Sequence, residues 1–138
     1  MRRLYIAGSS KKIETVRYFM NRARMSGFII TYDWTVDVVQ KGGTNPVNLS
    51  DDQRRDCAYK DIAGIQAANI IWCLGSSHIS RGVHVELGAA LATKPTIHIV
   101  WSGPRHSIFA WCADEYHEQH NQALQSIIKH KEQANGNV

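Results

Sequence analysis

The segment Ser80-Arg81-Gly82-Val83-His84-Val85-Glu86-Leu87-Gly88-Ala89-Ala90 sets one carboxylate among small and apolar residues. It follows Asn69-Ile70-Ile71-Trp72-Cys73-Leu74, apolar enough for an interior strand, and a glycine-containing loop that delivers Glu86 to the end of that strand. An acid there suits a nucleophile or an electrostatic stabiliser, and at the dense start of a helix the dipole is expected to lower its pKa and keep it an anion. The competing reading is an ordinary first-turn glutamate. Asp61 flanks the helix face defined by Ile62 and Ile65. It reads either as a solvated acid paired with Arg54 or Lys60, or, if it converges with Glu86, as a second group of one pocket. Gly8-Ser9-Ser10-Lys11 joins an apolar run to a helix and combines backbone NH groups, two hydroxyls and an ammonium, a donor set that fits phosphate. The same residues are also common turn and N-cap chemistry. Their spacing is neither that of a P-loop nor that of the three-glycine dinucleotide fingerprint.

Four further residues flank these groups. His84 either lines the mouth of a site or is a polar residue at a helix start; Arg81 either clamps phosphate or faces solvent. Asp33 and Trp34 follow a β-rich run and suit hydrogen bonding or stacking to a base. His117 and His120 lie three apart with Glu118 between them, but without the His-Glu-x-x-His pattern or a third ligand. They read as a solvated helix face, so neither a metal nor a cofactor is expected. Cys73 reads as core, and an odd set of three distant cysteines, Cys57, Cys73 and Cys112, points to a reduced, cytoplasmic protein.

A net charge of +4 suits an anionic small molecule, whereas the basic residues are dispersed and the aromatics do not alternate with them. Nucleic acid is therefore not the expected partner. Behind Arg2 and Arg3 the apolar stretch ends at Gly8, too soon for a signal peptide, and no segment has the length to cross a bilayer.

The elements that must position these groups follow from periodicity. Strands are expected over 4–7, 28–32, 69–74 and 96–101, with Pro95 opening the fourth, and a short fifth strand over 107–111. Helices are expected from 13 to Gly27, from the Ser50/Gln53 capping box to about 67, over 83–93, and from Asp114 to about 131. Residues 35–49, with Gly42-Gly43 and Asn45-Pro46, read as a loop or lid. Strands alternating with helices over 1–138 imply one α/β domain, a Rossmann-like three-layer sandwich with a parallel sheet of about five strands. Ligands of such sheets bind beyond the carboxyl ends of the strands, which selects 5–11, Asp33 and Trp34, the loop before Glu86, and 102–107.

Together these motifs resemble the nucleoside 2-deoxyribosyltransferase superfamily, and within it the 2'-deoxynucleoside 5'-phosphate N-hydrolase branch. The resemblance rests on Leu4-Tyr5-Ile6-Ala7-Gly8-Ser9, on Asp61 with Ala68-Asn69, and on Ser80-x-Gly82-x-x-x-Glu86-Leu87-Gly88, spread over nearly the whole chain. It implies that Glu86 attacks the anomeric carbon of a deoxyribose, that Tyr5 positions the acid, and that Asp61 contacts the sugar and assists departure of the base. It implies a phosphate site at Gly8, Ser9, Ser10 and Lys11, where free-nucleoside transferases carry Gly-Pro-Phe after the first strand, joined by Ser80, and matches Ser107 to a serine supplied across a subunit interface. The substrate so implied is a 2'-deoxynucleoside 5'-monophosphate, split to free base and deoxyribose 5-phosphate by a homodimer or larger homo-oligomer. Two alternatives stand beside it: transfer of deoxyribose to another base, and a non-catalytic nucleotide-binding or sensing module. The chain departs from the pattern at Asn69, where relatives often carry Asp, and at His84, where the hydrolase has glycine.

Overall fold

In the computed structural model, residues 2–40, 49–93 and 97–136 are described. Five strands, β1 (Arg3–Ala7), β2 (Ile29–Ile30), β3 (Ile70–Leu74), β4 (His98–Ser102) and β5 (Glu115–His117), pair in parallel in the order β2-β1-β3-β4-β5. Residues 4–7 of β1 and all of β3 are buried, as the continuous apolar runs of a sheet covered on both faces require. The helices are α1 (Ile13–Met25), α2 (Trp34–Gln40), α3 (Asp51–Gln66), α4 (Arg81–Thr93) and α5 (His120–Gly136). The contacts of α1 with α5 and of α3 with α4 form the two outer layers. The single-domain Rossmann-like architecture expected from the alternation is the one observed.

Local signals account for most element ends. Val16, Phe19, Met20 and Ala23 recur at helical spacing and form the buried stripe of α1, which stops at Gly27, whose φ of 89° a side chain would strain. The capping box of α3 is closed in both directions: Ser50 Oγ accepts from Gln53 N at 3.1 Å, and Gln53 Oε1 accepts from Ser50 N at 2.8 Å. No described helix is long and apolar enough to cross a membrane.

Several expectations are corrected. Only Ile29–Ile30 of the second run pairs in the sheet. Residues 34–40 are helical: Asp33 Oδ1 accepts from Thr35 N at 3.1 Å, and Trp34 and Thr35 are buried, so capping and packing override three valines of low helix propensity. Residues 41–48 of the expected lid, with Gly42-Gly43 and Asn45-Pro46, lie outside the described residues, as do Pro95 and Thr96. The aromatic run 107–111 is not a strand but a 3₁₀ helix, Ile108–Cys112, capped by Ser107.

The fifth strand is instead Glu115–His117, and the closing helix starts at His120. The acids expected in its first turn are used at the sheet edge, where Asp114 Oδ2 accepts from Ile99 N at 2.8 Å and Glu115 binds three imidazoles. His117 and His120 therefore share no solvated face. His117 meets Glu115, while His120 Nδ1 is 2.6 Å from the buried Ser102 hydroxyl and its ring packs edge-on against Phe19.

Candidate active site

The carboxyl ends of β1 and β3 flank the point where strand order reverses, the crevice in which open α/β sheets bind ligands. A cavity of about 400 Å³ occupies it. Its walls come from the turn after β1 (Gly8, Ser9, Ser10, Lys11), from the loop and first turn after β3 (Ser80, Arg81, Gly82), and from Trp34, Asp61 and Glu86. The two acids, which are 25 positions apart in sequence, thus face one space. Asp61 is not the solvated acid of the simpler reading: it is half-buried, and the ion pairs of Arg54 and Lys60 at 3.0 Å are with Asp51 and Asp56.

Burial dominates the electrostatics of this pair. It pushes the pKa of Glu86 up to about 8, with the neighbouring Asp61 charge adding to the rise, and that of Asp61 up to about 6. The dipole expectation for Glu86 is therefore overturned. With α4 beginning at Arg81, Glu86 is the sixth helical residue, past the first turn where the dipole acts. Its Oε2 is buried without a hydrogen-bond partner among the described residues.

Tyr5 is fully buried between the acids. Its phenol lies near enough to favour the anion of each, yet closes a hydrogen bond to neither. Burial first, and then the charges of Glu86 and Asp61, raise its own pKa far beyond the phenol range, so it stays a neutral O–H donor.

The same cavity carries hydrogen-bond donors. Ser9 Oγ accepts from Lys11 N at 3.2 Å, capping the 3₁₀ turn, and lies 2.8 Å from His78 Nε2. Ser80 Oγ accepts from Val83 N at 3.4 Å at the start of α4. Gly8 has no space for a side chain, because a Cβ there would lie 2.5 Å from Val16 Cγ2. Lys11 and Arg81, both exposed, add two cations to the lining.

No protein-family model matches the chain, and no curated protein does. Solved structures do. A 2-deoxyribosyltransferase from Bacillus psychrosaccharolyticus superposes with a TM-score of 0.67 at 15% identity, over 88% of this chain and 90% of that one. A CMP N-glycosidase from Clostridium botulinum superposes with a TM-score of 0.55 at 15% identity, over 91% and 98%. What is shared is the fold.

Three expected site residues lie elsewhere. Asp33 is engaged by Arg24 at 2.7 Å and by the α2 cap, Ser107 caps the 3₁₀ helix, and His84 points into a separate small cavity beside Trp101 and His106. There His84 Nδ1 meets Ser80 O at 2.7 Å and its Nε2 is buried without a hydrogen-bond partner among the described residues. Trp34 lines the main cavity, but its Nε1–H donates to Ile6 O at 2.9 Å, leaving only the ring to meet a ligand. Sequence reasoning missed His78, Ile79 and Val38, which also line the cavity. His78 was open to discovery by the carboxyl-end rule, since it lies in the loop after β3.

This arrangement is suited to nucleophilic attack by a carboxylate, with a second carboxyl to deliver a proton and a polar, cationic wall to hold an anionic group of the substrate.

Proposed function

We propose that the protein cleaves the N-glycosidic bond of a 2'-deoxynucleoside 5'-monophosphate through a glycosyl-enzyme intermediate. The observation that carries this reading is the convergence of Glu86 and Asp61 on one cavity that Ser9, Lys11, Ser80 and Arg81 also line. The raised pKa values mean that the ligand-free pair holds about one proton at neutral pH. Reaction needs that proton on Asp61 and the charge on Glu86. Glu86 then forms a bond to the anomeric carbon as the C–N bond breaks, and Asp61 gives its proton to the departing base. Water, deprotonated by Asp61, opens the glycosyl ester to deoxyribose 5-phosphate and returns Glu86 as a carboxylate. Tyr5 is assigned a positioning role, donating its O–H to the charged acid. Ser9, Lys11, Ser80 and Arg81 receive the phosphate.

Two structural neighbours sharpen the test, because one is a deoxyribosyltransferase and the other acts on CMP. Purified protein is incubated with deoxynucleoside monophosphates, CMP and free deoxynucleosides, with and without a second base, and released base is separated chromatographically. Base release that is lost in Glu86→Ala supports the proposal, and base exchange instead of hydrolysis assigns the transferase reading. No release from any substrate overturns both. The exposed Ile108, Phe109 and Trp111 are the surface on which we expect subunits to associate, and the free thiols of Cys57, Cys73 and Cys112 fit a reducing, cytoplasmic setting.

A further inference from the structure

A second group of side chains gathers far from the cavity, at the β5 edge of the sheet. His98 opens β4, Glu115 opens β5 and His130 lies on α5, and one ligand atom from each falls within 4.8 Å of the others. Separations of 17 and 15 residues hide this from any spacing motif. The fold assembles it through register. Val100 pairs with Glu115, so His98, two residues before Val100, shares the face of Glu115. Ser126 and His130, one turn apart on α5, meet that face together.

The geometry is that of a metal site with its outer partners. Glu115 Oε2 lies 2.9 Å from His98 Nε2 and 3.0 Å from His130 Nε2. Tetrahedral zinc with bonds of about 2.0–2.1 Å separates its ligand atoms by roughly 3.3 Å, so the ion needs outward shifts of a few tenths of an ångström at Glu115 and an adjustment of the two imidazoles, whose ligand atoms lie within 4.8 Å of each other. The other carboxylate oxygen, Oε1, accepts from His117 Nε2 at 2.7 Å and from Ser126. Asp114 Oδ2 stands 3.9 Å from His98 Nδ1. The hydrogen bonds to Oε1 are outer contacts of the kind that fix the orientation of a ligating carboxylate.

Each of the three ligating side chains keeps 21–34% of its surface, enough for an ion to enter and for water to take a fourth position. Among the described residues no ammonium or guanidinium contacts Glu115 in place of a cation. Two imidazoles and one carboxylate favour a borderline ion over magnesium or calcium, which prefer oxygen.

We propose that His98, Glu115 and His130 bind a divalent cation of the zinc class, which ties α5 to the β4–β5 edge, with His117 and Ser126 orienting the carboxylate. The test uses untagged, chelator-treated protein titrated with Co²⁺. The expected result is a saturable visible absorption band at one equivalent, bleached by one equivalent of Zn²⁺, lost in His98→Ala and His130→Ala, and weakened about 10–100-fold in affinity in His117→Ala. Zinc should also raise the melting temperature of the wild type and not that of the two ligand variants. Should those variants not fold, imidazole ¹H–¹⁵N spectra of the wild type decide: Zn²⁺ must move the Nε2 resonances of His98 and His130 and leave that of His84 in place. Absence of a stoichiometric band, its survival in both ligand variants, or unmoved His98 and His130 resonances overturns the proposal.

Discussion

Replacing Glu86 by Gln should make the protein more stable, and by an amount that depends on pH. The folded state raises the pKa of Glu86 from 4.5 to about 8. An acid with a raised folded pKa binds more protons folded than unfolded across that window, so stability falls as pH rises from about 4.5 to about 8. The penalty is absent below the window and complete above it. At ~1.4 kcal/mol per pKa unit its ceiling is about 5 kcal/mol, and water reaching the partly open cavity should bring the measured value to about 2–3 kcal/mol. Glutamine has nearly the same shape and no charge to titrate. Any fixed cost of burying its amide is the same at every pH, and Asp61 titrates in both proteins. Urea unfolding of both at pH 5 and pH 9 should show the stability difference, variant minus wild type, growing by about 2–3 kcal/mol between the two. A difference that does not change with pH would refute the assignment of Glu86 as a carboxyl group whose charge the fold opposes.

Three further outcomes follow from the same geometry. Asp61→Asn should depress turnover most for substrates whose base leaves poorly, by about 10²-fold or more, and least for an activated leaving group; equal loss for both would remove its role as proton donor. Lys11→Ala and Arg81→Ala should each lower kcat/KM for the 5'-monophosphate about 10-fold or more while leaving the free nucleoside unaffected, a split read directly from parallel kinetics. Gly8→Ala must displace Val16 Cγ2, which a Cβ would meet at 2.5 Å, and should cost about 1–3 kcal/mol in urea unfolding, partly recovered by adding Val16→Ala; an unchanged midpoint would contradict the tight approach of the turn to α1.

What was legible in the sequence was whatever depends on burial. Interior strands buried on both faces read as apolar runs, so β1, β3 and β4 were evident, and amphipathic spacing with the Ser50 capping box gave α1 and α3. The fifth strand was not legible because Glu115-Tyr116-His117 is polar, three residues long and paired on one side only, while the apolar run beside it is an exposed 3₁₀ helix. Glu86, Asp61 and the turn after β1, singled out because chemistry-bearing residues at strand ends are few, line one cavity. Asp33, Ser107 and His84 do not line the cavity of this chain but bind backbone at element ends, as short polar side chains and imidazoles there often do.

Glu86 itself shows how magnitudes decide such readings. A helix dipole is worth about 0.3–1 kcal/mol within the first turn, less than one pKa unit, whereas loss of solvation moves a carboxyl by several units. Once Glu86 is placed at the sixth position of α4, with Oε2 buried and unpartnered, burial must win. An uncharged side chain would serve the packing there better, and Tyr5, a buried phenol whose hydroxyl has no hydrogen-bond partner among the described residues, repeats the same cost. Under the proposed chemistry both costs reverse sign when a sugar with developing positive charge enters the cavity. The anion that the empty fold opposes is then the group that the transition state attracts, and the idle phenol gains an acceptor.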